Sequence, residues 1–334
     1  MTTDLLKRPL RDLRISVTDR CNMRCTYCMP RDVFGSDYPF LPRDELLSFE
    51  EIARVVGIFT RLGVEKLRLT GGEPLLRKDL PKLIAMLRAT GPELDIAMTT
   101  NGVLLPRHAD ALAEAGLDRV SVSLDALDET TFGAITDTNA TVAQVLEGLA
   151  AAEEAELGPI KINAVIVRGV NEDQVLALAD RFRGTSHIVR FIEFMDVGVT
   201  NGWRLDQVVP AAEIAALING KYPIEPVGRS YSSEVAERWR YRDGAGELGI
   251  IASVTRPFCG DCARARLSAD GQLFTCLFAA SGHDIKTPLR AGAADAELTA
   301  LATDIWTKRD DRYSEQRTQT TIPIARVEMS YIGG

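Results

Sequence analysis

Short hydrophobic and β-branched runs recur six times along the first 195 residues, with helix-like segments between them. The runs occupy 13–18, 66–70, 95–100, 119–124, 160–167 and 188–194. Apolar residues at helical spacing predict helices over about 48–62, 79–90, 106–116, 141–157 and 172–183. Alternation of strands and helices predicts an α/β fold with a parallel sheet and right-handed crossovers, either open or an incomplete barrel.

Chemically distinctive residues follow the predicted strands. In parallel α/β folds, ligands collect at the carboxyl ends of the strands. The first run leads to a cysteine group, and the others lead to GGEP (71–74), TTNG (99–102), SLDA (123–126) and Met195. The pattern therefore predicts a functional site at this edge of the sheet.

The pattern changes after residue 195. Segments become irregular, with Gly, Pro and Trp mixed among them, and a second cysteine group appears. We expect two parts: a partial barrel over 1–195, and a smaller C-terminal region over 196–334 folded around a second metal site.

Composition and net charge limit the classes of partner that this protein can bind. Hydrophobic residues make up 46% of the 334 residues, enough for a sizeable core, and the net charge of −8 disfavours nucleic acid as a partner. No run approaches the ~18 apolar residues of a membrane span, and the N-terminus shows no apolar signal segment. The expectation is a cytoplasmic protein that binds neither nucleic acid nor membrane.

The first cysteine group, CNMRCTYC, has the spacing C-x3-C-x2-C at Cys21, Cys25 and Cys28. A structural zinc site takes four protein ligands, and no fourth Cys or His lies close by. Three thiolates on an iron–sulfur cluster leave one iron open to a substrate or cofactor. The missing ligand favours reactive chemistry, although structural zinc with a distant fourth ligand stays open.

The second group has the spacing C-x2-C-x13-C at Cys259, Cys262 and Cys276. His283 follows seven residues later, so a Cys3His zinc site competes evenly here with a second three-cysteine cluster.

Cationic residues fall inside the predicted strands, which is unusual because parallel strands are buried on both faces. Lys66 and Arg68 share one face of the second run, while Arg14, Lys161 and Arg190 lie in three others. Each could pair with a carboxylate, since a buried unpaired charge is costly. Four runs with such residues favour a converging anion pocket, to which Arg264 and Arg266 could add.

The first cysteine spacing, Tyr27 within it and GGEP together resemble the radical S-adenosylmethionine (SAM) superfamily. The resemblance implies a 4Fe–4S cluster on Cys21, Cys25 and Cys28, whose free iron binds SAM. One electron would cleave SAM to methionine and a 5′-deoxyadenosyl radical. It implies that GGEP receives the methionine amino group, because glycines permit close backbone approach.

PFCGDC, RLSADG, TCLF and the terminal SYIGG are similar to the GTP 3′,8-cyclase (MoaA) family of molybdenum cofactor biosynthesis. This resemblance implies an incomplete (β/α)6 TIM-like barrel and a second 4Fe–4S cluster, on Cys259, Cys262 and Cys276, that contacts GTP. It implies a lyase that abstracts the ribose 3′ hydrogen of GTP and couples C3′ to guanine C8, giving 3′,8-cyclo-7,8-dihydro-GTP.

The same resemblance implies the site residues. SAM would contact Tyr27, Gly72, Ser123 and Met195. GTP would contact Arg14, Arg68, Thr99, Lys161, Arg190, Arg264, Ala265 and Arg266. The catalytic set would comprise Arg264, Arg266, Gly333 and Gly334, the last two on a C-terminal tail that enters the site.

Implied partners are GTP, SAM, an electron donor of the flavodoxin or ferredoxin type, and a downstream cyclic pyranopterin monophosphate synthase. A homodimer is one option. Two alternatives stay open: another radical SAM enzyme with an auxiliary cluster, such as a peptide modifier, and a non-enzymatic electron-transfer or zinc-binding module.

Asp125, which follows Ser123 at the end of a predicted strand, could contact ribose or cap a helix.

Overall fold

The computed structural model describes residues 2–231, 233–317 and 326–333. Its centre is one twelve-stranded sheet, with strand order β12-β11-β10-β1-β2-β3-β4-β5-β6-β9-β8-β7 in the described part of the chain. The strands are β1 Asp12–Ser16, β2 Lys66–Thr70, β3 Asp95–Thr100, β4 Arg119–Ser123, β5 Lys161–Ile166, β6 Ile188–Glu193, β7 Ile224–Val227, β8 Glu237–Tyr241, β9 Glu247–Ile251, β10 Arg264–Leu267, β11 Gln272–Phe274 and β12 His283–Asp284.

Helices connect and cover the strands. They are α1 Phe49–Leu62, α2 Leu80–Thr90, α3 Ala109–Glu114, α4 Glu129–Thr136, α5 Val142–Glu154, α6 Gln174–Phe182, α7 Ala211–Lys221, α8 Lys286–Arg290, α9 Asp295–Thr307, α10 Tyr313–Gln316 and α11 Met329–Ile332. No helix of the described residues is both long enough and apolar enough to cross a membrane.

Strands β1 to β6 lie side by side in chain order, and each neighbouring pair is parallel. The predicted α/β fold class is confirmed. The sheet stays open, as in an incomplete barrel.

The six predicted strands match β1 to β6 to within one or two residues, but two helices differ from expectation. The third is shorter than predicted, because a 3-10 turn at Leu105–Arg107 precedes α3. Helix α4 was not predicted; it has eight residues, too few for a clear apolar period, and is capped by the Asp128 side chain.

The C-terminal half extends the same sheet at both ends. Strand β10 pairs parallel with β1, and β9 pairs parallel with β6. As far as the structure describes it, the irregular portion expected after residue 195 thus contains six strands and several helices. Strands from the two sides of residue 195 are hydrogen-bonded to each other in the pairs β1–β10 and β6–β9. The division into domains 1–195 and 196–334 therefore stays a prediction.

The strands separate two environments by simple alternation. Outward residues such as Leu13, Leu67 and Val122 are fully or almost fully buried in the core beneath the helices. Their neighbours Arg14, Arg68 and Ser123 point to the opposite face. The outer face therefore stabilises the fold, and the inner face is available for chemistry.

Glu193, at the end of β6, joins the two halves of the chain. Its buried carboxylate accepts the Ala211 N–H at 2.7 Å and the Val254 and Thr255 N–H groups at 2.7 and 2.9 Å. The Thr255 hydroxyl donates to it as well. One side chain thus holds the start of α7 and the segment after β9 against the end of β6.

We predict that Glu193→Gln lowers the free energy of unfolding by about 1–3 kcal/mol. Each carboxylate oxygen faces a backbone N–H donor, so an amide NH2 would oppose a donor on either side. Thermal unfolding of the metal-free protein measures the loss. The matched control is Glu213→Gln, whose exposed pair with Arg168 should contribute at most about 0.5 kcal/mol. Equal midpoints for the two variants would contradict this role.

Candidate active site

The inner face of the sheet borders a cavity of about 340 Å³, within the roughly 300–1,000 Å³ range typical of small-molecule sites. The structure brings most of the predicted site residues to its wall, and their individual roles stay predictions. They are Arg14, Cys21, Cys25, Tyr27, Cys28, Arg68, Gly72, Thr99, Ser123, Lys161, Arg190, Met195, Cys259, Cys262, Arg264, Arg266 and Cys276.

Ala265 is an exception. It is fully buried in the hydrophobic core, because strand alternation turns it away from the face that carries Arg264 and Arg266. The Ala265 side chain therefore does not reach the cavity, and the expected contact of Ala265 with GTP stays a prediction.

The loop that carries the first cysteine triad is fixed to the end of α4. Arg24 and Thr26 donate their N–H groups to the Thr136 and Ile135 carbonyls, each at 2.9 Å. The Arg24 guanidinium donates to the Cys21 carbonyl at 2.8 Å and to the Phe34 carbonyl at 2.6 Å. A side chain within the motif thus shapes the loop around the three thiols.

The GGEP loop packs directly on the cysteine loop. The Gly72 N–H donates to the Thr18 carbonyl at 2.8 Å, and the Glu73 N–H to the Arg20 carbonyl at 2.8 Å. A Cβ atom at Gly72 would lie 2.4 Å from the Arg20 carbonyl oxygen. Glycine is therefore required at position 72 because the backbone of the cysteine loop passes close to it. This requirement holds whether or not a ligand also binds there.

Glu73 ties the ends of β2 and β3 together. Its buried carboxylate accepts the Thr100 hydroxyl and the Asn101 N–H, each at 2.8 Å. Burial raises the pKa of Glu73 to about 7, although these hydrogen bonds oppose the rise. No role had been predicted for this glutamate beyond its place in the GGEP motif.

Tyr27 is held by Asp125. The phenol donates to one carboxylate oxygen at 2.8 Å, and the other oxygen accepts the Val165 N–H at 2.8 Å. Burial raises the pKa of Asp125 to about 6. The side chain of Asp128, and not that of Asp125, caps the following helix. The interpretation of Asp125 as a helix cap is therefore wrong.

The second cysteine triad is assembled from two loops. Cys259 starts a 3-10 turn before β10, Cys262 ends it, and Cys276 follows β11. The Arg264 guanidinium lies 3.5 Å from the Cys262 sulfur and stacks over the Phe258 ring at 5.1 Å. Burial alone would raise the pKa of Cys262, but Arg264 and Arg309 outweigh it and lower that pKa to about 6.

His283 takes no part in this site. It lies on the short edge strand β12, is exposed, and does not line the cavity. The Cys3His zinc site that the sequence left open is therefore not formed.

Both triads have the donor chemistry of iron–sulfur clusters. All six cysteines are free. Among the described residues, no three or more His, Cys, Asp or Glu side chains group closely enough to hold one metal ion. Three thiolates in a cluster each bind a different iron. The residues present fit a cluster at each triad.

The strand register aligns the cations of the inner face. Arg14 on β1 is the direct partner of Arg266 on β10 and of Arg68 on β2, so three arginines form one row. Further along, Asn163 pairs with both Ser123 and Arg190. Adjacent parallel strands lie about 4.8 Å apart, so these like charges repel one another.

These charges mostly lack carboxylate partners. Within the described ranges, no ion pair with an Asp or Glu is formed by Arg14, Arg68, Lys161, Arg190, Arg264 or Arg266. Arg68 instead donates to the Thr99 and Ser121 hydroxyls, each at 3.1 Å. The pairing alternative holds for Lys66, whose ammonium lies 3.6 Å from the Asp95 carboxylate.

Mutual repulsion and burial perturb these groups. Burial, with Arg190 and Arg119 nearby, lowers the pKa of Lys161 to about 7. Burial and neighbouring arginines lower the pKa of Arg68 to about 10 and that of Arg266 to about 9. A polyanion entering this cavity would relieve the repulsion.

The C-terminal tail reaches the same cavity. Helix α11 precedes Gly333, whose carbonyl accepts a hydrogen bond from Arg266. Gly333 adopts φ +76°, and a Cβ atom there would lie 1.8 Å from the Thr70 hydroxyl. Both Thr70 and Arg266 line the cavity. Gly334 lies outside the described residues.

Some residues of the cavity wall were not predicted from the sequence. Arg119 opens β4 and pairs with Asp95 at 2.6 Å, and the Tyr231 ring lies 4.2 Å from the Lys66 ammonium. The inward position of Arg119 on its strand was a usable signal. Tyr231, in an irregular loop, offered none.

Family models match both halves of the chain. The Radical SAM superfamily matches residues 15–182, and Molybdenum Cofactor Synthesis C matches residues 187–315. Among solved structures, SuiB of Streptococcus suis bound to S-adenosylmethionine has a TM-score of 0.59 at 14% identity, over 80% of this chain and 60% of that one. At this identity the likeness shows the fold alone.

Curated relatives extend the match over nearly the whole length. The GTP 3′,8-cyclase of Acidothermus cellulolyticus is 55% identical, covering 99% of this chain and 98% of that protein. Those of Xanthomonas axonopodis pv. citri and Staphylococcus carnosus are 52% and 47% identical at the same coverage. Similarity of this extent, running through both halves of the chain, places the protein in the GTP 3′,8-cyclase family of the radical SAM superfamily.

Proposed function

We propose that this chain is a lyase that converts GTP to 3′,8-cyclo-7,8-dihydro-GTP in molybdenum cofactor biosynthesis. The reaction removes the ribose 3′ hydrogen and joins C3′ to guanine C8. The observation that carries the proposal is the row of unpaired arginines on the inner face, beside two cysteine triads in one cavity.

The chain's cysteines would hold two 4Fe–4S clusters, one on Cys21, Cys25 and Cys28 and the other on Cys259, Cys262 and Cys276. When bound, the first cluster supplies the electron that cleaves SAM to methionine and a 5′-deoxyadenosyl radical. Tyr27, Gly72, Ser123 and Met195 would position SAM. The Asp125 contact that fixes Tyr27 and the backbone bonds that fix Gly72 support this assignment.

The cations would bind GTP. A triphosphate carries several negative charges, which Arg14, Arg68 and Arg266 could share across three adjacent strands. Lys161, Arg190, Thr99 and Arg264 complete the proposed contacts. By excluding water and fixing the ribose, these residues would hold C3′ near C8 and within reach of the radical.

The tail would close the substrate site. Gly333 contacts Arg266 and Thr70, both at the cavity wall, which supports a catalytic role for the terminal glycines.

The proposed partners are GTP, SAM, a flavodoxin- or ferredoxin-type electron donor and cyclic pyranopterin monophosphate synthase.

The reaction is tested with GTP deuterated at the ribose 3′ position. Reconstituted protein given SAM and reductant should transfer deuterium to 5′-deoxyadenosine and form the cyclised nucleotide. Cys→Ala replacement of all three residues in either triad should abolish product and leave about four of about eight irons per chain. Formation of 5′-deoxyadenosine without consumption of GTP would refute the substrate assignment.

Lys161 predicts a pH dependence. Its pKa of about 7 in the free protein should rise when the triphosphate binds. At pH 8, Lys161 is mostly neutral in the free protein and charged in the GTP complex. Binding of GTP at this pH should therefore be accompanied by uptake of up to one proton by the protein. Uptake should vanish below about pH 6, where the free lysine is already charged, and GTP affinity should weaken as pH rises above 7.

Calorimetry in two buffers of different ionisation enthalpy measures this uptake. Lys161→Arg should remove it, because arginine is charged throughout this pH range. The matched control is Lys82→Arg, an exposed residue on α2. Identical proton uptake in the wild type and Lys161→Arg would show that another group is responsible.

Gly333→Ala should lower turnover by on the order of 10²-fold, because the added Cβ clashes with Thr70 and displaces the tail. Iron content should not change. Gly220→Ala, on α7 with no atom within 4 Å of the new Cβ, is the control. Normal product formation by Gly333→Ala, or by a chain that lacks Gly333 and Gly334, would exclude a catalytic tail.

A further inference from the structure

A buried ionic cluster lies behind the second cysteine triad. Asp4 accepts the Arg8 Nε–H at 2.6 Å and the Arg309 Nη1–H at 3.1 Å through one carboxylate oxygen. The three side chains are at most 1% exposed. We call Asp4, Arg8 and Arg309 the ionic hub; it joins residues that are some 300 positions apart.

The hub arginines hold the backbone at all three cysteine positions. Arg8 Nη1 donates to the Cys259 carbonyl at 2.8 Å, and Arg309 Nη1 donates to the Cys262 carbonyl at 2.7 Å. Arg309 Nε donates to the carbonyl of Thr275, the residue before Cys276, at 3.0 Å. Two guanidinium groups thus fix two separate loops relative to each other.

The hub also carries buried charge. Two guanidinium groups share the single carboxylate of Asp4, so the hub has a net charge of +1. A further carboxylate, Asp311, lies 3.5 Å from Arg309 Nε; the oxygen that faces Arg309 is buried but accepts no hydrogen bond, so Asp311 offsets part of this charge and depends on Arg309 in turn. Isolating such charge in the interior is costly, and the guanidinium groups offset that cost by donating to backbone carbonyls of the cysteine loops.

A three-thiolate cluster would be affected both by the fixed positions of the cysteine loops and by the buried positive charge. It carries net negative charge, which grows on reduction, so a buried cation close to its loops stabilises the reduced form and raises the reduction potential. Residues that orient the ligands contribute to metal affinity as well.

We propose that Asp4, Arg8 and Arg309 position the second cysteine triad and tune the reduction potential of the cluster it binds. The inference rests on the proposed second cluster. It assigns a positioning role to an N-terminal segment, whose Asp4 and Arg8 do not line the cavity, and to Arg309 beyond α9, which does.

The test separates the two clusters. One parent protein has Cys21, Cys25 and Cys28 replaced by alanine and retains only the second triad. The other has Cys259, Cys262 and Cys276 replaced and retains only the first. Each parent is reconstituted with ferrous iron and sulfide, then titrated with an iron chelator. Midpoint potentials are measured by electron paramagnetic resonance.

In the second-triad parent, Arg309→Met should weaken iron retention by roughly 10–100-fold and shift the midpoint to more negative potential. Arg309→Lys should retain most of the potential, because the charge stays. It should still lose iron more readily than the parent, because one ammonium cannot replace the guanidinium fork. Arg61→Met, which removes an exposed pair with Asp295, should change neither property.

In the first-triad parent, the Arg309 variants should retain iron as the parent does. Equal loss of iron from both parents would show that Arg309 only stabilises the fold, which overturns the inference. Unchanged iron retention and potential in the second-triad parent would overturn it too. Failure of that parent itself to bind iron would instead refute the proposed second cluster.

Discussion

Repulsion among like charges on the inner face is the constraint around which the rest of the site is arranged. Arg266, Arg14 and Arg68 are direct partners on adjacent parallel strands, and the fold keeps them there without carboxylate partners among the described residues. The outer face offsets the strain by burying aliphatic side chains from the same strands. The sheet thus holds a charge arrangement that a bound polyanion would stabilise.

The two cysteine loops are stabilised by different means. The first is held by backbone hydrogen bonds to α4 and by packing on the GGEP loop, with Arg24 inside the motif closing the turn. The second depends on guanidinium groups from distant segments, Arg8 and Arg309. Both loops therefore depend on distant parts of the chain. Backbone groups of α4 and of the GGEP loop hold the first, and guanidinium groups hold the second, whose ligands Cys259 and Cys276 are 17 positions apart.

Much of the fold followed from the sequence because its strongest patterns are local. The six strands and most helices were predicted from apolar periodicity. Their alternation predicted a parallel sheet, either open or an incomplete barrel, and the family resemblance implied the barrel. The short helix α4 escaped because eight residues carry little periodicity. Strands β7 to β12 escaped because they are two to five residues long and lie in segments mixed with Gly, Pro and Trp, where alternation is hard to detect. Strand alternation places the Ala265 side chain in the core, between Arg264 and Arg266 on the opposite face.

The sequence by itself determined the chemistry: two thiol triads, cations at inward strand positions and a terminal Gly-Gly. Residue type and spacing are written in the chain, and they limit which ligands can bind. Only the tertiary structure decided which of these groups meet. It excluded His283 from the second triad, placed Gly333 against Thr70 and Arg266, and brought Asp4 and Arg309 together behind the cysteines. Strand register and long-range packing set such distances, and neither has a local signature.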